Sequence, residues 1–472
     1  MVDDVGTFGL LLRTHRRSAG MSQDELAERS GLSSHAISGL ECGRTRVPYP
    51  NSVHRLADAL DLYDQNRAAF LDAAGRRLAP VTAAPDVPSP RSGNGLVVPR
   101  QLPGAVPAFV GRPEQLAALS RALCQSQVPG ETADSALIAV ISGVAGVGKT
   151  ALAVHWAHQV AGQYPDGQLF INLRGFAPDR PPVTPGEAVR VFLEALEIPA
   201  SRIPLAADAR LGLYRSLLAG RRLLIVLDDA HDAAQVRPLL PGGPGCRIVI
   251  TSRRQLTGLA AIDAAWPLRL DLLTSTEVRQ MLRRRIGADL IASDAASAAA
   301  IARWCGRLPL ALSVIAARLA TQPQLTLAAL AADLTDTSRR LDVLHTASDP
   351  LASVRVALAR SYDHLDAGPA RTFRLLGMHP GPGISLAAAA SLAGLSHSHV
   401  RRHLAELADV SLVDEDPADR YSMHDLARLY AAEQAHQVDS DAERLEATHR
   451  LLDHYRQTGD TPPRPVLIQI PS

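Results

Sequence analysis

Apolar and polar positions change their spacing along the chain, and these changes divide it into parts. Over residues 1–75 the apolar positions follow a short helical period, which predicts small amphipathic helices joined by tight turns. Residues 76–107 contain many Pro and Gly without a regular period, which indicates a semi-extended linker. From 108 to 272, short β-branched runs alternate with helical stretches, which predicts a parallel α/β sheet. From 273 to 435 the period is almost wholly helical, and a partial helical segment and a tail follow at 436–472.

Composition narrows the class of protein without identifying a partner. A chain of 472 residues suffices for roughly two to four domains, and its low aromatic content of 4% means that the cores rest on aliphatic residues. The net charge of +1 gives no overall field for nucleic acid or membranes, so a charged partner must meet a local patch. No long apolar run or signal peptide is evident, so we expect a cytoplasmic protein without a membrane span. The cysteines are widely spaced, which favours free thiols over disulfides or zinc: Cys42, Cys124, Cys246 and Cys305.

The segment GVAGVGKT at residues 143–150 matches the pattern of a phosphate-binding P-loop. A predicted strand, SALIAVIS, precedes it and a predicted helix, TALAVHWAHQVA, follows, which is the context that this loop requires. Lys149 is the only lysine in a chain with 49 basic residues, and a compact ammonium can enter a phosphate cavity that arginine's planar fork cannot. Backbone N–H groups and the helix N-terminus would bind phosphate oxygens there, and the ammonium would reach the β- and γ-phosphates. The predicted ligands here are Gly143, Gly146, Val147, Gly148, Lys149, Thr150 and Ala151.

Two later strands end in charged residues that suit the same site. The run RRLLIVLDDAHD ends a predicted strand in Asp228 and Asp229, and Asp228 together with Thr150 would hold Mg²⁺. Asp229 would orient the attacking water or, alternatively, cap the next helix. The strand in CRIVITSRR ends in Arg253, which would sense a γ-phosphate unless it is a surface arginine.

Ordered motifs across residues 105–435 resemble the NB-ARC nucleotide switches, part of the STAND class of P-loop ATPases. They are FVGR, the P-loop, LFINLRGF, LIVLDD, ITSR, CGRLPLAL and MHD, in that order. The resemblance implies an α/β P-loop parallel-sheet domain at 108–272, a small helical domain at 273–345 and a winged-helix domain at 346–435. It also implies roles for single residues. Val110 and Arg112 would lie near the adenine, Pro309 would pack on the base, and His424 of MHD would reach the β-phosphate of ADP. One departure is Arg307, which stands where the family has Gly before Leu-Pro-Leu.

The N-terminal residues 1–75 resemble the Cro/C1-type helix-turn-helix family, so the fold class is multidomain with an all-α DNA-binding domain first. In SQDELAERSGLSSHAISGLE a helix, a turn at Gly31 and a second helix follow one another. Gly39 in the second helix removes one position for base contact. An alternative is that this domain binds protein, and another candidate DNA site is Arg401 with Arg402 in the winged helix. The predicted DNA contacts are Gln23, Ser33, Ser34, His35, Ser38, Arg44 and Arg46.

Together these features predict a signal-responsive transcriptional regulator that is at most a slow ATPase. ADP would hold a closed monomer, and exchange for ATP would let it oligomerise and bring several weak DNA-binding domains together. A defence effector whose N-terminal domain recruits a protein is the competing hypothesis, and a metabolic P-loop kinase is disfavoured. Relatives of this type usually carry a long C-terminal repeat sensor. Because the chain stops soon after residues 443–457, we expect either a separate sensor protein or a truncated product.

Overall fold

The computed structural model describes residues 7–41, 50–60, 62, 66–67, 70–71, 98–107, 109–124, 136–177, 180–346 and 349–459. The chain forms two compact units, Met1–Pro88 and Ser89–Ser472, each of which has its own interior.

The first unit is a cluster of short helices around an apolar core, as the sequence predicts. The helices named within its described residues are α1 (Thr7–Ser18), α2 (Gln23–Ser30), α3 (Ser34–Glu41) and α4 (Pro50–Ala59). Helix α2 starts in a capping box, because Ser22 and Glu25 each accept the other's backbone N–H, and it ends at Gly31 with φ 62°. Leu12, Leu26, Ile37 and Leu56 are fully buried between the helices. Helix α1 and helix α3 touch closely at Gly9, where a Cβ atom would lie 2.4 Å from the carbonyl oxygen of Leu40.

A five-stranded parallel sheet forms the described core of the second unit, with strand order β2-β3-β4-β1-β5. Its strands are β1 (Leu137–Ser142), β2 (Gln168–Asn172), β3 (Leu224–Ala230), β4 (Arg247–Ser252) and β5 (Trp266–Arg269). Their continuous apolar runs suit strands that are covered by helices on both faces. The helices that flank this sheet are α5 (Pro113–Cys124), α6 (Lys149–Val160), α7 (Pro185–Ala195), α8 (Ala207–Leu218), α9 (Ala233–Val236) and α10 (Thr257–Ile262).

A helical region and a small antiparallel sheet follow. The helices are α11 (Ser275–Ile286), α12 (Ala288–Ser293), α13 (Ala295–Trp304), α14 (Pro309–Thr321), α15 (Leu327–Thr335), α16 (Arg340–Val343), α17 (Val354–Tyr362), α18 (Ala367–Leu376), α19 (Leu386–Ala393), α20 (His397–Asp409), α21 (Asp425–Val438) and α22 (Asp441–Thr458). The strands β6 (Gly383–Ser385), β7 (Asp414–Asp416) and β8 (Arg420–Ser422) pair in the order β6-β8-β7. The hairpin β7–β8 after three helices has the element order of a winged helix, and this assignment stays a prediction, as do the domain boundaries.

One continuous apolar cluster joins these parts. It includes Trp156 of α6, Leu312 of α14, Leu358 of α17 and Leu404 of α20. A second cluster fills the other face of the large sheet around Phe192 and Tyr214. The five-stranded sheet and the later helices are therefore packed together in this arrangement. In the described part of the chain, no helix combines the length and the apolar character that a membrane crossing requires.

Candidate functional site

The loop between β1 and α6 has the backbone of a phosphate cradle. Gly146 and Gly148 have φ values of 80° and 96°, which residues with a Cβ atom rarely adopt. A Cβ atom on Gly146 would lie 2.8 Å from the Cβ of Leu310, whose N–H donates to the Gly146 carbonyl at 3.1 Å. A Cβ atom on Gly148 would meet nothing within 4 Å, because that side of the loop is open. The loop is thus tied to α14 on one side and open to a ligand on the other.

Lys149 lies at the centre of this cradle. Its Nζ donates to the carbonyl oxygens of Gly143 at 2.8 Å and Val144 at 3.1 Å. Burial lowers the pKa of Lys149 to about 7, and repulsion from Arg253 acts in the same direction. Attraction from Asp229 and Asp228 offsets only part of this change. The Nζ of Lys149 is therefore held by two neutral carbonyls, and the attraction of the two aspartates does not outweigh its burial.

We predict that binding of ADP takes up a proton near pH 8. The depressed pKa leaves most Lys149 side chains neutral there, and a phosphate anion beside the amine favours the ammonium. Uptake should approach about one proton at pH 8 and fall below about half a proton at pH 6.5, by the ordinary titration of a group with this pKa. Isothermal calorimetry in two buffers of different ionisation enthalpy measures the number directly. Equal heats in both buffers at pH 8 would contradict the prediction.

Asp228 has the surroundings expected of a carboxylate that holds Mg²⁺. Its Oδ1 accepts from the hydroxyls of Thr150 at 2.6 Å and Thr251 at 2.7 Å, and its Oδ2 accepts from Asn172 at 3.0 Å. Burial raises the pKa of Asp228, and the bonds from Thr150 and Thr251 partly offset this. Among the described residues no cluster of three or more His, Cys, Asp or Glu could hold a metal. One carboxylate and one hydroxyl fit Mg²⁺, which takes its other ligands from phosphates and water.

Asp229 and Arg253 line the same cavity and connect it to α17. Asp229 has φ 52°, and its Oδ2 accepts the N–H of Phe176 at 3.3 Å. The Nε of Arg253 lies 3.7 Å from Oδ1 of Asp229, and its Nη1 donates to the Ala357 carbonyl at 2.6 Å and to Ser361 Oγ at 3.0 Å. Arg253 is therefore a buried bridge in this arrangement rather than a surface arginine. The roles of Asp229 with water and of Arg253 with a γ-phosphate stay predictions.

The other end of the cavity is more apolar. The cavity has a volume of about 470 Å³, and Val110 and Pro309 line it. Their contacts with the base stay predictions. Arg112 also lines the cavity, and its backbone has a φ value of 63°. The backbone N–H of Arg112 donates to Glu277 Oε1 at 2.6 Å. Pro309 is the first residue of α14, where proline is favoured. Arg307 adopts φ 56°, so an arginine has the left-handed backbone that the family's Gly would adopt freely.

His424 lies outside this cavity and lines the neighbouring cleft with Val144 and Gly306. Its Nδ1 accepts the N–H of Leu426 at 3.2 Å, so its Nε2 carries the proton and donates to the Gly306 carbonyl at 3.0 Å. Burial lowers the pKa of His424, which favours this neutral form. Both ring nitrogens are thus engaged by protein, and the predicted contact with a β-phosphate stays a prediction.

The candidate DNA contacts of the first unit differ in their hydrogen-bond partners, and some of them lie outside the described residues. Ser33 is exposed and its hydroxyl caps α3 by accepting the N–H of Ala36 at 3.2 Å, and Ser34 and Ser38 lie on that helix. Gln23 donates through Nε2 to Glu41 Oε2 at 2.6 Å, which leaves its second N–H for a phosphate. The side chain of His35 and the residues Arg44 and Arg46 lie outside the described part.

Arg401 of α20, the alternative site, pairs with Asp419 at 2.9 Å, and Arg402 beside it is exposed.

We predict that Glu41→Gln destabilises the first unit by about 3 kcal/mol, because it leaves a buried cation without its partner. Glu41 accepts from Arg16 Nε at 2.6 Å and Nη2 at 2.9 Å, and these bonds with that of Gln23 outweigh burial and lower the pKa of Glu41. Stability from this pair is present above the ordinary pKa near 4.5 and is lost as pH falls through the lower folded value. Hydrogen exchange of α1–α3 measures the loss, and the exposed Asp24→Asn serves as control. Equal protection in both variants would refute it.

Several site residues were missed from sequence alone. Asn172 and Thr251 lie within the motifs LFINLRGF and ITSR, so their position was a usable signal. Glu277 carried no such signal, because its role depends on contacts that only the fold creates. Its Oε1 accepts the backbone N–H of Arg112 and lies 2.5 Å from the place that a Cβ atom on Gly111 would take.

Parts of this chain are similar to known proteins. Residues 7–70 match a family model described as a helix-turn-helix domain. The chain is 42% identical to the regulatory protein AfsR of Streptomyces griseus over 365 residues, which are 76% of this chain and 36% of that protein. It is 38% identical to AfsR of Streptomyces coelicolor over 425 residues, 86% of this chain and 42% of that protein. The disease resistance protein RPV1 of Vitis rotundifolia is 26% identical over 243 residues, 50% of this chain and 16% of that protein.

The chain therefore spans less than half the length of each of these relatives. The helix-turn-helix match and the AfsR relatives confirm the prediction of a helix-turn-helix domain joined to a P-loop NTPase module.

Proposed function

We propose that this chain, a helix-turn-helix domain joined to a P-loop NTPase module, is a transcriptional regulator whose DNA binding is switched by ADP and ATP. The observation that carries the proposal is that three separate parts of the chain line the cavity. Its walls come from the P-loop, from Pro309 of α14 and from Ala357 of α17. A nucleotide bound there would touch the parallel sheet and both later helical segments at once.

Contacts between the sheet and the C-terminal helices would maintain the closed state that ADP favours. The Ser411 hydroxyl donates to the Arg253 carbonyl at 3.0 Å, and Arg254 Nη1 lies 3.4 Å from Asp409 Oδ2. Together with the bond between His424 and Gly306, these polar contacts add to the apolar cluster that the sheet and the later helices share. ADP would favour the closed state by as much as it binds that state more tightly than the open one.

Thr150 and Asp228 would hold Mg²⁺, which when bound neutralises phosphate charge. Lys149 would contact the phosphates, Val110 and Pro309 would enclose the base, and Asp229 would orient a water molecule. The helix-turn-helix domain of a single copy should bind DNA weakly, since the chain has a net charge of only +1. Association of open molecules would place several such domains on adjacent sites, which raises the affinity through effective concentration. AfsR is named as a regulatory protein, which supports this class of function here.

The full chain tests the proposal in one experiment. We expect retention on DNA to be stronger with ATP than with ADP, by about tenfold or more if at least two domains engage. Ser34→Ala should weaken discrimination between sequences, by about 1–3 kcal/mol for a lost base contact, while Arg44→Ala should weaken binding to all sequences and flatten the salt dependence. The exposed Arg190→Gln, which removes the same charge from α7, is the control.

Fluorescence anisotropy at several salt concentrations measures these affinities. If no DNA sequence is retained at low salt with either nucleotide, the regulator proposal fails. A protein partner captured by residues 1–75 would then support the effector hypothesis instead.

A further inference from the structure

The nucleotide cavity is lined by more cations than the P-loop pattern explains. Its only described lining carboxylate is that of Asp229. The positively charged lining residues are Arg112, Lys149, Arg253, Arg285 and Arg360. This excess of positive charge suits a polyphosphate. Of these residues, Arg285 and Arg360 belong to no motif in the sequence, and Arg360 comes from α17, beyond the nucleotide-binding sheet.

Three of the other cations that line the cavity are already used by protein atoms. Arg253 donates to Ala357 and Ser361, and Lys149 donates to two loop carbonyls. Arg112 points towards the Val147 and Leu272 carbonyls at 3.5 and 3.4 Å.

Arg360 differs from them. Its Nε is buried, and it has no hydrogen-bond partner among the residues that the structure describes. No carboxylate in the described ranges lies within ion-pair distance of its guanidinium. A buried donor of a charged group without a partner is costly, which indicates that a ligand supplies the acceptor.

The geometry of α17 directs Arg360 to the charged end of the cavity. Ala357, Arg360 and Ser361 are spaced i, i+3 and i+4, so they share one face of the helix. Ala357 and Ser361 on this face hold Arg253, which places Arg360 beside Arg253. The two guanidinium groups repel each other, and Lys149 and Asp229 belong to the same cluster of charges. Arg112 belongs to a separate cluster with Glu277 and Asp271.

We propose that Arg360 binds the terminal phosphate of ADP and thereby holds α17 to the nucleotide in the closed state. The inference rests on the proposed nucleotide switch and adds a residue to it. His424 is engaged with Gly306 in this arrangement, so the direct contact between residues 346–435 and the diphosphate falls to Arg360. Two separate contacts then hold the closed state. One joins Arg360 to the phosphate of ADP, and the other joins His424 to the Gly306 carbonyl.

Arg360→Gln in the full chain tests the role, with Arg360→Lys as the variant that keeps the charge and Arg190→Gln as the matched control. Calorimetry measures the affinities for ADP and AMP. We expect Arg360→Gln to lose about ten- to a hundredfold in ADP affinity, as for a charge-assisted bond, and less than about threefold in AMP affinity. Arg360→Lys should retain part of the ADP affinity, and Arg190→Gln should retain all of it.

The thermal stability of the nucleotide-free protein separates this role from a structural one. Removing Arg360 relieves repulsion with Arg253, so the Tm without nucleotide should hold or rise, while the increase in Tm that ADP produces should shrink. A lower Tm without nucleotide combined with unchanged ADP affinity would overturn the inference, and so would an equal loss for ADP and AMP. If the unaltered protein binds ADP and Arg360→Gln binds it equally well, the inference fails and the proposed function stands. If the unaltered protein binds no nucleotide, the switch itself fails.

Discussion

Lys149→Arg should lower the affinity for ADP by about a hundredfold or more, although it keeps the positive charge. Two charge-assisted bonds to phosphate are each worth about 1.5–3 kcal/mol. The Nζ of Lys149 fits between the carbonyls of Gly143 and Val144 at 2.8 and 3.1 Å, a space that a planar guanidinium does not match. Burial of the larger cation beside Arg253 would add repulsion that the neutral amine avoids.

Calorimetry with ADP measures this effect, and Arg190→Lys is a control that makes the opposite exchange on the surface of α7. Equal affinity of Lys149→Arg and the unaltered chain would show that the ammonium is dispensable. A second measurement uses the uniqueness of this lysine. Amine-reactive labels should modify only Lys149 and the N-terminus, and ADP should protect Lys149. Labelling that ADP leaves unchanged would also count against the P-loop role.

The P-loop and its strand–loop–helix context could be predicted from sequence, because glycines with positive φ and a single lysine leave a local signature. The type of sheet could be predicted as well, since continuous apolar runs separated by helices favour parallel strands. The strand order could not. Asp228 contacts Thr150 of the P-loop, and β4, which lies between β1 and β3, adds Thr251 as a second donor to Asp228. Strand order depends on crossover connections, and no local pattern encodes them.

Residues that act across long separations were the hardest to predict. Arg360 belongs to α17 and lines the same cavity as Lys149, which lies far earlier in the chain. The contact of His424 with a phosphate, which the family resemblance implies, stays a prediction, and in this structure Nε2 of His424 donates to the Gly306 carbonyl. That contact follows from the left-handed backbone of Gly306 at φ 58° and Arg307 at φ 56°. A sequence pattern shows which residues are present but not which carbonyl such a turn exposes.

His424→Ala should open the closed state, shifting the population about five- to a hundredfold towards the open form. Loss of the donor leaves the Gly306 carbonyl without its bond from His424, which typically costs about 1–3 kcal/mol. ADP should dissociate faster, and with ATP the protein should elute as a larger assembly. Retention on DNA should rise although the helix-turn-helix domain is unchanged. Size-exclusion chromatography with each nucleotide and stopped-flow release of a fluorescent ADP analogue measure both effects.

Gly306→Ala provides an independent way to break the same contact while keeping the histidine. A Cβ atom on Gly306 would lie 2.5 Å from Cε1 and Nε2 of His424, so the ring must move away. His424→Ala and Gly306→Ala should therefore behave alike, and the double variant should add little to either, because both substitutions remove the same interaction.

Adding Lys149→Ala should abolish the ATP-dependent assembly if the open form needs ATP. Arg401→Ala, which breaks the exposed pair with Asp419 at 2.9 Å, should behave as the unaltered chain does. If His424→Ala and Gly306→Ala both elute like the unaltered chain with either nucleotide and release ADP no faster, the bond between His424 and Gly306 does not hold the closed state.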